Sequence, residues 1–313
     1  MDLRSVDVGL LPCQQYDRRL IKQGVARLLA ALELQVAFGS RVLLKPNLVI
    51  GGRNNGLPCT NPEFVAAVAQ LFVDHGARVM VSDSPAFGSA KGVMASCGIT
   101  EALKGLPVEL VNFSAVRRLK LPCGISVGIA RQALECDLLV NLPKVKAHGQ
   151  LFVSLAVKNY FGALVGFQKP WLHARYGDVD NRFESLLIDL LAVLPNGVSL
   201  VDGIVAMHED GPANGKPFPL AVIGGAVNPV ALDTALLAIL KLSPGQSPLW
   251  REGARRKLIG SSAAELVFPL AAPAQLAVDG FSAPERLKPV TFHPGRLVVG
   301  AIKRIMARFD HQP

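Results

Sequence analysis

The stretch NLPKVKAHGQ, residues 141–150, places Asn141, Lys144, Lys146 and His148 directly behind an apolar run, LLV. Similar polar clusters end other apolar runs: Lys45 and Asn47 behind RVLL, Ser82, Asp83 and Ser84 behind RVMV, and Asp202 and Gly203 behind VSLV. Lys158 and Asn159 stand in AVKNYFG. A lysine drawn out of water needs a counter-charge. Asp83 and Asp202 supply part of it, and an anionic ligand such as a carboxylate or phosphate would supply the rest. A desolvated lysine can also act as a base or Schiff-base nucleophile, and a histidine can transfer protons near neutral pH. Lys144, Lys146 and His148 are therefore the candidate catalytic group. Lys45, Asn47, Asp83, Ser84, Asn141, Lys158, Asn159 and Asp202 are the candidate ligand-binding residues. The competing reading is that the lysines pair with acids and staple loops together.

A second concentration is VDGIVAMHEDGPANGKP, residues 201–217, with Asp202, His208, Glu209 and Asp210. Oxygen ligands suit a divalent metal, and Asp202 and Asp210 are the candidate ligands. Consecutive residues in a loop seldom all face one ion, so a structural loop turned by Gly211 and Pro212 competes with a metal site. NGLPCTNP, residues 55–62, could offer backbone N–H groups to an anion at a helix start. It lacks the Walker A spacing, no GxGxxG follows a strand, and there is no GxSxG elbow. ATP, dinucleotide and serine-hydrolase readings are thereby unsupported. GFQKPWLHARYGD, residues 166–178, fits either a lid over the site or a surface loop anchored by aromatics. The five cysteines form no CxxC pair, which leaves free thiols and no iron–sulfur ligand set.

The elements that must position these groups alternate. Strands are expected over 40–48, 78–85, 107–113, 136–143, 198–204 and 219–226. Helices are expected over 60–77, 181–194 and 228–240, the first and last opened by Asn-Pro pairs that cap and start a helix. Such alternation implies an α/β fold with a mostly parallel, doubly wound sheet and helices on both faces. In a parallel sheet the C-terminal strand ends share one edge, where ligands bind. That topology would gather groups scattered through the sequence at one rim.

Half of the 313 residues are hydrophobic, 18% are charged, and mean hydropathy is +0.34, a balance that suits strands covered on both faces. No apolar run approaches the length of a membrane span, and MDLRSVDVGL carries no signal-peptide core. The expected location is the cytoplasm. Most of the net charge of +9 falls in residues 251–257 and 286–313, which argues against a nucleic-acid partner for the body. The expected organisation is one domain over 1–285 and a basic extension over 286–313. A basic amphipathic helix at 299–309 would dock on the body or touch a membrane surface through 296–309.

The ordered segments LLKPNLV, TNPEFVAAV, VSDSP, NLPKVKAHG, AVKNYFGALVG, VDGIVAM, DGP and NPVALD resemble the family called domain of unknown function 362, over about residues 41–241. The resemblance implies a fold and a site but no general reaction. Many members carry an appended ferredoxin-like cysteine cluster, which is missing here. A redox role would therefore work through an iron–sulfur partner. Ala147 and Asn228 stand where the family commonly has Thr and Asp, and His208-Glu209 replace an acid followed by a small residue. The Lys and His at strand ends also look like the proton-transfer groups of lactate-racemase-like proteins, a fold-level analogy. The leading expectation is an enzyme acting on a small anionic metabolite by Lys/His proton transfer. The alternatives are a non-catalytic carrier or sensor of an anion or cofactor, and a redox-associated protein.

Overall fold

A computed structural model describes residues 3–166 and 168–289. The chain opens with strand β1 (Gly9–Pro12), helix α1 (Arg18–Ala31), strand β2 (Arg41–Pro46), helix α2 (Pro62–Asp74) and strand β3 (Arg78–Val81). Helices α3 (Ala90–Ser96) and α4 (Ile99–Ala102) lead to β4 (Val108–Leu110), followed by the separate hairpin of β5 (Val116–Lys120) and β6 (Ser126–Ala130). Then come α5 (Arg131–Glu135), β7 (Leu138–Leu142), β8 (Lys144–His148), β9 (Phe152–Ser154), α6 (Ala156–Asn159), α7 (Gln168–Tyr176) and α8 (Arg182–Val193). The long hairpin of β10 (Gly197–His208) and β11 (Lys216–Ala226) precedes α9 (Pro229–Ile239), α10 (Pro248–Arg255) and α11 (Pro273–Leu276).

The main sheet runs in the order β1-β11-β10-β7-β2-β3-β4. Its β10-β7-β2-β3-β4 part is parallel, as the alternation of strands and helices requires. The edge formed by β11 and β1 is antiparallel, because β10 turns straight back into β11 without a crossover helix. Residues 201–217 are therefore mostly hairpin strand rather than an open loop.

Strand alternation sends successive side chains to opposite faces. Val42, Leu44, Val140 and Val198 meet α1 and α2 through Ile21, Val25, Phe64 and Phe72. Leu43 and Leu139 meet α8 and the turn at 160–163 through Leu186, Leu190, Tyr160 and Phe161. The sheet is thus covered on both faces. The expected caps form: Asn61 accepts from Glu63 N and Asn228 from Val230 N, each ahead of a proline at the first helical position. Asp17 does the same for α1, which is tied to α2 by Arg18 and Glu63 at 2.9 Å. The expected basic helix over 299–309 lies outside the described residues.

Candidate functional site

Register aligns the site. Lys45 in β2 is opposite Asn141 in β7, and Asn141 is opposite Ser199 in β10. At Pro143 the chain leaves β7 and re-enters the sheet as β8, still alongside β10, with Asp202 opposite Lys144 and Met207 opposite Lys146. Residues 144–148 are thus not a polar tail beyond a strand but a buried strand of their own. Its alternation is Lys-Val-Lys-Ala-His: Val145 and Ala147 enter the third apolar cluster with Val201, Val222 and Leu232, leaving Lys144, Lys146 and His148 on the other face.

Lys45 is buried and pairs with Asp83 at the end of β3, Nζ to Oδ1 2.8 Å. The other carboxylate oxygen of Asp83 accepts from Leu48 N at 3.0 Å. Gly162 closes over this pair: a Cβ there would collide with Asp83 Oδ1 and lie 2.6 Å from Lys45 Nζ. Lys146 Nζ donates to Asn47 Oδ1 and to the Pro58 carbonyl, 3.0 Å. Burial pulls the Lys146 amine down to about 8. Lys169, on α7, donates to the carbonyls of Ser84 and Pro85, and burial brings it to about 8. That contact brings α7 over the end of β3.

Lys158 differs from its neighbours. Its Nζ lies over the Phe161 ring, 4.3 Å from the centroid, and among the described residues no oxygen accepts from it. Burial first, then repulsion from Lys169, Lys146 and Lys45, lowers it to about 7. His148 is lowered well below the ordinary histidine range by burial and by the charges of Lys158, Lys146 and His173. Its Nδ1 accepts from the backbone N–H groups of Gln150 and Leu151 at 3.2 and 3.3 Å. These two donors assign the proton of the neutral ring to Nε2. Lys45, Lys146, Lys158 and Lys169 thus stand within electrostatic range of one carboxylate, Asp83. One carboxylate does not balance four amines.

The other expected residues have internal partners. Lys144 Nζ meets Asp202 Oδ2 and Tyr16 Oη, both at 2.8 Å, and Asp202 also accepts from Tyr16 Oη and Asn61 N. This pair is closed on itself and holds the N-terminus of α2 against β10. Asn141 donates to Ser199 Oγ and the Ala156 carbonyl and accepts from Asn159, whose amide also reaches the Lys45 carbonyl at 3.4 Å. These amides fasten α6, and so Lys158, to the strand ends. Ser84 contributes its backbone, donating to the Gly162 carbonyl at 3.0 Å. Asp202 and Asp210, the expected metal ligands, have different partners. Asp202 is spent on Lys144, whereas Asp210 is exposed beyond the hairpin beside Lys288 at 3.1 Å. Among the described residues no three His, Cys, Asp or Glu side chains form a ligand group.

Sequence reasoning missed Tyr16, Lys169 and Gly162. Tyr16 precedes a helix with no motif around it. Lys169 was visible only inside the polar–aromatic stretch 166–178, which forms α7 rather than an irregular loop. Gly162 follows Lys158 in AVKNYFG, and nothing in a single sequence separates a glycine needed for close approach from any other.

Comparison with known proteins adds relatives. The chain is 36% identical over 310 residues to "Thylakoid-associated protein sll1697" of Synechocystis sp., covering 98% of this chain and 96% of that protein. Among solved structures, it is similar to the lactate racemase apoprotein of Thermoanaerobacterium thermosaccharolyticum at 12% identity and a TM-score of 0.45. That match covers 76% of this chain and 58% of the other. A Thermotoga maritima protein matches at 10% identity and a TM-score of 0.38, over 66% and 56%. The chain therefore spans little more than half of either solved chain. The family model "Domain of unknown function (DUF362)" matches residues 42–238, the segment that carries β2 to α9 and every lysine of the group; the chain belongs to that family.

Proposed function

We propose that the lysine group binds a small oxyanion, a carboxylate or phosphate of a metabolite, and that Lys158 exchanges a proton with it. The observation that carries this reading is Lys158: a half-buried amine near neutral pKa, beside the buried Lys45 and Lys146, with no hydrogen-bonded acceptor among the described residues. An anion there would restore the balance that Asp83 alone does not supply. A lysine titrating near 7 matches the requirement for a general base at neutral pH. His148 fits the role of a neutral Nε2–H donor toward the ligand rather than that of the proton carrier, because its charged form is disfavoured. Lys144, engaged with Asp202 and Tyr16, fits a positioning role. Thermal-shift and calorimetric titration with inorganic phosphate and with malonate test the reading. Saturable binding by one of them, lost in Lys158→Met, is the expected result. No binding of either, or equal binding by the variant, overturns it.

A second reading concerns location. The near-full-length relative is named for thylakoid association, and residues 286–313 are rich in Lys and Arg. Among the described residues no helix is long and apolar enough to cross a membrane. Peripheral contact with an anionic lipid surface accommodates these facts. Co-sedimentation with anionic but not neutral vesicles, lost on deletion of residues 296–313, is the expected result. Binding unchanged by the deletion contradicts it.

A further inference from the structure

The segment between β2 and α2 folds down onto the C-terminal end of α3. A Cβ on Gly51 would collide with Ser96, one on Gly56 would lie 3.4 Å from Cys97 Cβ, and one on Gly98 would lie 3.4 Å from Pro62 Cγ. Gly56 has φ +80°, so it is suited both to the turn and to the close approach. Its carbonyl accepts from Cys59 N at 2.9 Å. This packing sets the thiols of Cys59 and Cys97 against each other within hydrogen-bonding reach. Cys59 is buried and Cys97, which caps the end of α3, is partly exposed. Cys59 also accepts from Val49 N at 3.5 Å. The residue before it, Pro58, supplies the carbonyl that holds Lys146.

Thiols become reactive where a donor and a cation stabilise the thiolate. Here the Cys97 S–H, followed by the Val49 N–H and Lys146, brings the Cys59 thiol down to about 6, and the same contact raises Cys97. The two sulfurs share one proton below the ordinary thiol range and release the second well above it.

We propose that Cys59 and Cys97 are an oxidation-sensitive dithiol that closes to an intramolecular disulfide beside Lys146, so that redox state sets the anion affinity of the lysine site. The coupling to affinity rests on the reading of the lysines as an anion site; the disulfide does not. The oxidant is a low-molecular-weight disulfide. With the shared proton on Cys59, the accessible Cys97 thiolate attacks one sulfur of the reagent, the reagent's S–S bond breaks, and one thiolate leaves. Cys59 then loses its proton and attacks the Cys97 sulfur of the mixed disulfide, and the second reagent thiolate leaves. From this one-proton state the chain loses two electrons and one proton, and the reagent disulfide leaves as two thiolates, one of which takes up that proton. Closing the bond removes the negative charge beside Lys146. The lysine group then has one counter-charge fewer, the fall in the Lys146 pKa offsets this only in part, and an anion bound there is held more tightly.

The test treats the reduced full-length protein with glutathione disulfide, quenches with acid, counts thiols and maps peptides without reduction. Two of the five thiols are expected to disappear, with one cross-link joining Cys59 to Cys97. Dithiothreitol should restore both. Cys59→Ser should stop at a glutathione adduct on Cys97. Five persistent thiols, a cross-link elsewhere, or adducts without a cross-link in the wild type overturn the dithiol. Phosphate titration of the two forms tests the coupling: the oxidised form should bind roughly threefold or more tightly. Equal affinity of the cross-linked and reduced forms overturns the coupling alone. Absence of phosphate binding in both overturns the anion-site reading and the coupling with it, while the peptide map still judges the disulfide.

Discussion

Lys45 and Asp83 form a fully buried ion pair, 2.8 Å apart, with the backbone of Gly162 pressed against both. The pair joins the end of β2 to the end of β3, and Gly162 joins both to the segment that carries Lys158. Asp83→Asn should leave Lys45 buried without its counter-charge. The expected cost is about 3 kcal/mol of unfolding free energy at pH 7. Because Lys45 can lose its proton, the cost should shrink as pH rises toward 10. Urea denaturation at pH 7 and pH 9.5 measures both.

Gly162→Ala should also fail to fit, since the new methyl group would need the space of the Asp83 carboxylate and the Lys45 ammonium. Overpacking of this kind costs about 1–3 kcal/mol. The accompanying loss of anion binding should exceed that of an alanine placed at exposed Gly245, whose Cβ would meet only Ser243 Oγ at 4.0 Å. Parallel calorimetric titrations compare the two.

The lysine group gives the ligand-free protein a pH dependence with a definite sign. Lys158, Lys146 and Lys169 have folded values of about 7, 8 and 8, below the ordinary lysine value of 10.5. Between these values the unfolded chain binds more protons than the folded one. Stability therefore rises with pH from about 7 toward 10.5, and the penalty is fully present below 7. Thermal unfolding across pH 6–10 should show this rise, and Lys158→Met should flatten it while raising stability at pH 6. A bound anion, by favouring the charged lysines, should stabilise most at the acid end.

Tyr16 belongs to the closed pair of Lys144 and Asp202. Its hydroxyl donates to Asp202 at 2.7 Å, accepts from Lys144 and accepts from Val205 N at 3.2 Å. Tyr16→Phe should cost about 1.5–3 kcal/mol, the range for a hydrogen bond to a charged group. Phosphate affinity should change by less than about twofold, because Lys144 keeps Asp202. Denaturation and titration of the same variant test the two halves.

Much of this arrangement was readable in the sequence, for physical reasons that can be named. The Asn-Pro caps at 61 and 228 are local chemistry, and they place α2 and α9 within a few residues. Polar residues behind apolar strands mark strand ends, which is why Lys45, Asp83, Asn141 and Asp202 belong to one region. Pairing is not local. Nothing around Lys144 announces that Asp202 and Tyr16 will close it off, and nothing around Lys158 announces that no described residue will accept from it. The strand over 144–148 was readable in principle, because Lys-Val-Lys-Ala-His alternates. Three polar residues at period two look like a surface until the register against β10 buries them.

The central claim is that Lys158 is a near-neutral amine awaiting an anion. Carbon-13 NMR of protein labelled at lysine Cε, with the Lys158 signal assigned by its absence in Lys158→Arg, measures this directly. The account predicts that this signal titrates near pH 7 in the free protein and moves to higher pH when phosphate is added. A Lys158 signal that titrates near the ordinary 10.5 and does not respond to phosphate would contradict it.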